Sequence, residues 1–230
     1  MIKKPLLSAL VVILLLGSLV SSKAAQEKGQ SPIASNKYAF SLSLSGISYG
    51  QGSFKTEEGV ESLSADIDFK NSFGVSAAIS RRAESFPIRT EVEILYRKSD
   101  SDNGSIRLFW VDADLDCNLK YLAGMLNFYY EVPLSSLGMD RWRLDAGIGI
   151  GYALSKTEIL ISLDSDEVGG ALSQWDFCQQ LILGISRPVG EHFEWFLNYR
   201  CLLPGEILNE PNRVDLPVMH HAELGARVFF

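Results

Sequence analysis

The last ten residues of the chain alternate without a fault. Ala222, Leu224, Ala226, Val228 and Phe230 fall on one side, and His221, Glu223, Gly225, Arg227 and Phe229 on the other. A period of two is the pattern of a β-strand. The same pattern recurs upstream. Tyr38 to Tyr49 sets Tyr38, Phe40, Leu42 and Leu44 against Ala39, Ser41, Ser43 and Ser45. A second strand is predicted within Ala65 to Ser80, where Ala65, Ile67, Phe69, Phe73, Val75, Ala77 and Ile79 all hold odd positions. Further strands are predicted over Ile88 to Arg97, Tyr121 to Val132, Trp142 to Leu154, Gln174 to Ser186, Phe193 to Cys201 and the closing stretch from His221.

Between these strands, short and long connections alternate. Arg82 to Pro87, Pro133 to Arg141 and Pro188 to Gly190 read as tight turns. Gly50 to Ser64, Lys98 to Lys120, Ser155 to Ser173 and Leu202 to Met219 read as four loops. Outer-membrane barrels combine short periplasmic turns with longer external loops in this way. An even strand count puts both termini on one side, expected to be the periplasm.

The two faces of the strands differ in kind. One carries no charged residue in the strand cores, with Thr90 and Gln179 its main polar exceptions. Its ends are aromatic: Tyr38, Tyr130, Trp142, Phe193 and Phe230 toward the turns, Tyr96, Tyr152, Trp175 and Tyr199 toward the loops. Charge on a lipid-facing wall costs a few kcal/mol near the midplane, and aromatic girdles mark both interfaces. The other face carries Arg89, Glu91, Glu93, Arg97, Glu131, Arg143, Asp145, Glu194, Arg200, Glu223 and Arg227. A soluble barrel would turn its apolar face inward. Charges of both signs on strand after strand, opposite an aromatic-rimmed apolar face, favour an all-β transmembrane up-and-down antiparallel barrel of eight strands, closed, over residues 38–230. Eight strands enclose an interior just filled by side chains. The expectation is therefore a salt-bridged plug in place of an open pore, since an unpaired buried charge is strongly unfavourable.

The segment before the barrel changes the picture of location. Lys3 and Lys4 precede an apolar run from Leu6 to Val20, and Ser22-Lys23-Ala24 supplies small residues at a cleavage site. This is the form of a secretory signal peptide, residues 1–24, followed by a polar lead-in over 25–37. Its removal takes away Lys3, Lys4 and Lys23 and moves the net charge from −7 to −10. An acidic chain disfavours nucleic acid as a partner. No other apolar run approaches the ~20 residues of a membrane helix. Three cysteines, Cys117, Cys178 and Cys201, allow one disulfide and match no zinc pattern.

Several motifs together resemble the rickettsial surface-antigen and opacity-type barrel family. They are Ile88-Arg89-Thr90-Glu91-Val92-Glu93 with Tyr96 after a proline turn, Asn127-Phe128-Tyr129-Tyr130-Glu131-Val132-Pro133, Asp145-Ala146-Gly147-Ile148-Gly149-Ile150-Gly151-Tyr152, and Glu223-Leu224-Gly225-Ala226-Arg227. The resemblance implies a surface antigen, a host-cell adhesin or a pore-former, without choosing among them. Gly225-x-x-Val228-x-Phe230 also resembles the C-terminal assembly signal of bacterial outer-membrane barrels, with Leu224 where a polar residue is usual. That implies the barrel-assembly machinery and outer-membrane lipid as partners.

Candidate chemistry is sparse. Gly147-x-Gly149-x-Gly151 is expected to make room for interior arginines, because no helix start follows it as a dinucleotide loop requires. Asp112, Asp114 and Asp116, with Asp164, Asp166 and Glu167, lack the glycine and terminal glutamate of an EF-hand. They read as solvated acidic loops suited to basic host or matrix surfaces. His221 and Glu223 share the inward face, and His220 and His221 are expected to form a rim-exposed pair that senses mild acidity. No His-x-Ser accompanies them. No metal, cofactor or catalytic residue is assigned. The leading expectation is a non-enzymatic barrel in the bacterial outer membrane displaying four loops as surface antigen, adhesin or envelope stabiliser. A small porin-like channel is the alternative, and a rim enzyme stands behind both.

Overall fold

The computed structural model describes residues 38–50, 52–58, 61–67, 70–83, 86–100, 104–108, 111–163, 166–209 and 212–230. The backbone alone is described for 52–58, 61–67, 104–108, 111–116, 159, 161–163, 166–168, 206–209 and 212–215. Eight strands make the barrel: β1 (Tyr38–Tyr49), β2 (Ser72–Arg82), β3 (Ile88–Asp100), β4 (Val111–Pro133), β5 (Arg143–Leu163), β6 (Asp166–Val189), β7 (Phe193–Leu203) and β8 (Met219–Phe229). Each pairs antiparallel with its neighbours in the order β3-β2-β1-β8-β7-β6-β5-β4, and β3 pairs with β4 to close the ring. Closure leaves no strand edge within this cylinder, which is what a bilayer demands of a sheet.

The alternation read from the sequence sets the register. Leu44 lies opposite Leu224 and Phe40 opposite Val228, so β1 and β8 turn their apolar residues outward together. The Phe230 amide donates to the Tyr38 carbonyl at 2.9 Å, and the two rings stack with centroids 6.4 Å apart. Short connections join β2 to β3, β4 to β5 and β6 to β7. The second holds a single 3-10 turn, Ser135–Leu137, ended by Gly138 at φ 76°. The third turns at Gly190, φ 78°, a left-handed backbone conformation that glycine adopts without strain.

The strands are unequal. β1, β2, β7 and β8 have 11 or 12 residues, close to the 9–11 a tilted strand needs to cross a membrane. β4, β5 and β6 have 23, 21 and 24. Beyond Cys117 on β4 and Thr157 on β5, which are still buried in the bore, both strands run on for a further stretch of roughly 20 Å at about 3.4 Å per residue. Residues Gly104–Leu108 pair with the tip of β4, and a separate four-stranded sheet joins Glu206–Asn209, Asn212–Asp215, Gly52–Glu58 and Glu61–Ile67. Four expectations are corrected here. Residues 98–120 and 155–173 are largely strand, not loop. Loops 50–64 and 202–219 contain strands. The second predicted strand is two, broken before Ser72, with residues 61–67 pairing to 52–58 and not to the barrel. The turn expected at Pro188 to Gly190 shifts to Gly190–His192, because β6 continues through Val189.

Candidate functional site in the barrel bore

The bore is divided into two zones. Toward the turns it is charged. Arg89, Glu91, Glu93, Arg97, Glu131, Asp145, Glu194, Arg200, Glu223 and Arg227 are all buried, and Arg143 is half-buried at the turn-side mouth. Arg82, half-buried beside it, joins them. The bore thus balances six arginines (82, 89, 97, 143, 200, 227) against six carboxylates (91, 93, 131, 145, 194, 223) among the described residues, with Arg97 the furthest toward the loops on β3.

Two networks divide these groups. Near the turns, Arg82 Nε meets Glu131 at 2.7 Å, and Arg89 Nε meets the other oxygen of the same carboxylate at 2.8 Å. Arg89 Nη1 reaches Glu91 at 2.6 Å, and its Nη2 lies 3.9 Å from Asp145. Glu194 takes Arg143 and Arg227, with Arg82 at 3.2 Å. The Arg89 guanidinium rests 3.7 Å above the Tyr129 ring, whose hydroxyl donates to Glu91 at 2.9 Å. Further in, Arg200 bridges Glu93 and Glu223, each at 2.6 Å. Amides complete this second network: Asn127 donates to Glu93 at 2.8 Å, Gln180 to Asn127 Oδ1 at 2.7 Å and Asn198 to Glu223 at 2.9 Å. Desolvated ions are tolerated when they are paired and hydrogen-bonded; here that capacity is met in part, since Arg89 Nη2, Arg227 Nε, Asp145 Oδ2 and Asn198 Oδ1 have no hydrogen-bond partner among the described residues. Arg97 differs from the other five arginines in its partner. Its Nη1 donates to the Ser45 hydroxyl at 2.7 Å, and no described carboxylate lies within ion-pair distance.

Toward the loops the bore is mainly apolar, although Arg97, Ser99, Ser155 and Thr157 are buried at the same level, Arg97 in register with Tyr121. Ile47, Leu95, Cys117, Leu119, Tyr121, Ala123, Met125, Ala153, Cys178, Leu202 and Met219 form one buried cluster. Tyr49 and Leu216 pack against it, and half-buried Asp176 stands at its edge against Gly205. Nothing in the sequence reading anticipated this zone.

His221 sits between the zones. It is expected at the exposed rim and is instead buried, because β8 begins two residues earlier at Met219, so that His221 lies opposite Arg200 inside the strand. Its ring nitrogens have no hydrogen-bond partner among the described residues. Glu223 is held by Arg200 and Asn198, so no His–Glu dyad forms. His220 faces the outer wall, where its Nδ1 and the Tyr199 hydroxyl are 2.7 Å apart. Gly147, Gly149 and Gly151 are corrected in detail. A Cβ there would strike Tyr129, then Asn127 and Gln180, then Met125, so the room they leave serves these side chains and not arginines. Cys178 and Cys201 form no disulfide; Cys178 faces the bore, its Sγ 3.3 Å from Met125 Sδ, while Cys201 faces outward. Side chains of Asp112, Asp114, Asp116, Asp164, Asp166 and Glu167 lie outside the described residues. Among the described residues no group of three His, Cys, Asp or Glu is placed to hold a metal. Of the C-terminal motif, Gly225 abuts the Phe196 ring, while Val228 and Phe230 lie on the outer wall.

No family model and no curated protein sequence matches this chain. Solved structures do. The outer membrane protein OprG of Pseudomonas aeruginosa is similar at a TM-score of 0.53 and 13% identity, covering 84% of this chain and 95% of that one. The outer membrane protease OmpT of Escherichia coli is similar at 0.52 and 6% identity, with 84% and 97% covered. The fold is that of an outer-membrane β-barrel. At such identities the likeness carries the architecture alone, and the protease activity is OmpT's.

The outer wall agrees with that architecture. Leu42, Leu44, Val92, Ile94, Leu126, Ile150, Leu183, Leu197, Leu224 and Val228 are all exposed, while every described full charge at mid-wall height faces the bore. In water so much exposed apolar surface would be an aggregation liability. Trp195, missing from the predicted girdle, meets Trp142 edge-on at 5.0 Å at the turn-side rim.

Proposed function

We propose that this protein is an exported bacterial outer-membrane barrel of the opacity type whose bore does not conduct and whose work is done by the projecting loop end, as surface antigen, adhesin or envelope stabiliser. The observation that carries the reading is the two-zone filling of the bore together with the overlong β4–β5–β6 wall. A barrel that conducted solutes would keep a wet path past its charges. Here arginine–carboxylate pairs close one zone and aliphatic, aromatic and sulfur side chains close the other. A rigid closed sheet holding extended hairpins at the surface is a scaffold for recognition. In this reading residues 1–24 are the signal peptide, 25–37 the periplasmic lead-in, and both termini and the short turns face the periplasm. Gly225, Val228 and Phe230 serve recognition by the barrel-assembly machinery. The acidic loop residues suit basic host or matrix surfaces.

Epitope insertion tests the display. A tag placed between Leu163 and Asp166 is expected to stain on intact cells, and one placed beside Gly138 only after the outer membrane is opened. Staining of the Gly138 tag on intact cells would invert the barrel and overturn the reading.

A further inference from the structure

The outer wall carries a feature that lipid contact in general does not explain. On β5, β6, β7 and β8 the outward side chains leave an apolar groove of about 350 Å³, lined by Leu144, Leu183, Ile185, Leu197, Tyr199 and Ala222. That is within the size range of small-molecule sites. Ile185 pairs across the sheet with Leu144 on one side and Leu197 on the other. Two residues further along the same face of β6, about 7 Å toward the turns, stands Arg187. It is exposed, its guanidinium lies 5.5 Å from the centroid of the Trp142 ring, and it is in register with Trp195 on β7. No described carboxylate lies within ion-pair distance of it. The groove therefore ends, at the level of the turn-side aromatic girdle, in an uncompensated cation beside the Trp142–Trp195 pair.

We propose that this stretch of wall is a site for one anionic phospholipid of the leaflet at the turn end. The Arg187 guanidinium takes the phosphate, for which its planar fork of donors is suited. Trp142 and Trp195 flank the glycerol ester region, where indoles with one apolar and one polar edge settle. One acyl chain lies in the groove past Ile185 and Leu197 as far as Tyr199. Arg81 supplies an internal comparison. It too faces outward at the turn side, over the Tyr38 ring at 5.6 Å, without the tryptophan pair. The proposal rests on the reading of the chain as a membrane barrel.

Native mass spectrometry of the refolded full-length protein in detergent tests it, with added phosphatidylglycerol or phosphatidylcholine as probe. Insertion into phosphatidylcholine vesicles and heat-dependent electrophoretic migration are checked first for every variant. One phosphatidylglycerol is expected to stay bound in preference to phosphatidylcholine. Arg187→Gln is expected to weaken its retention about tenfold, the effect of losing one charge-assisted contact, and to erase the preference. Ala222→Phe, which fills the groove from the lipid side, is expected to weaken both lipids, and Arg81→Gln to change nothing. Equal losses in the Arg187 and Arg81 variants, or full retention in Ala222→Phe, would overturn the lipid site while leaving the barrel in place. A chain that neither inserts nor changes migration on heating would overturn the membrane reading and the site with it.

Discussion

The two ends of the bore are built from the same strands with the same inward parity, and they are filled by opposite chemistry. From Arg227 and Glu194 up to Arg200 and Glu223 the interior is a lattice of paired ions; from Leu95 and Met125 up to Leu119 and Met219 it is mainly a hydrophobic core, with Arg97 and the hydroxyls of Ser99, Ser155 and Thr157 set into it. In the charged zone closure depends on pairing, because each ion left without a partner keeps its full desolvation cost. In the apolar zone it depends on volume, because a missing methylene leaves a void. The two zones should therefore fail differently when perturbed, and that difference can be measured.

The largest effect is expected at Arg200, which serves Glu93 and Glu223 together. Arg200→Met strands two buried carboxylates, and its cost is expected at about 3–5 kcal/mol, the range for breaking a buried pair. Urea unfolding of the refolded barrel reads it. A cost under 1 kcal/mol would mean that water already reaches the lattice. Next comes Leu95→Ala, which opens a void in the apolar zone with no charge involved. A loss of about 2–4 kcal/mol is expected, and the tight spectral signature of the charged zone's Tyr129 should not move in near-ultraviolet dichroism.

Smaller effects sharpen the boundary. Arg97 lacks the carboxylates that Arg200 has, so Arg97→Met is expected to cost far less than Arg200→Met, within about 1 kcal/mol of zero. Equal costs for the two would show that pairing is not what holds this zone. At His221 the sign reverses. Replacing a buried imidazole that has no described partner by Leu is expected to stabilise the barrel by about 1 kcal/mol, the lower part of the penalty for an unsatisfied buried polar group. A loss of stability on His221→Leu would reveal a partner for that ring.

The same contrast explains what the sequence disclosed. Arg89-Thr90-Glu91-Val92-Glu93-Ile94 shows its inward face at a glance, because charged and apolar residues alternate. Tyr121-Leu122-Ala123-Gly124-Met125-Leu126 does not, since both of its faces are apolar, one toward lipid and one toward the core. Leu95, between Ile94 and Tyr96, is hidden for the same reason. Arg82 was legible by parity: β2 places its even positions inward, and one more step along that register reaches it. Treating it as part of a turn left the charged zone one cation short. The extension of β4 did carry a signal: Val111, Ala113, Leu115, Cys117 and Leu119 alternate with Asp112, Asp114, Asp116 and Asn118, and Cys117 and Leu119 are buried in the bore. The three aspartates make Lys98 to Lys120 read as loop. His221 reads as a rim residue when the last strand is taken to begin there, whereas β8 starts at Met219 and carries His221 into the bore.

The claim that joins these observations is that the bore is sealed twice. Conductance of the refolded protein in a planar bilayer tests it most directly, on material whose migration changes on boiling. Wild type is expected to be silent, and the double variant Leu95→Ala with Arg200→Met to show steps that scale with salt, since each seal has then been breached. Steady salt-dependent steps from the wild-type barrel would contradict the account and make the arginines and carboxylates the lining of a pore.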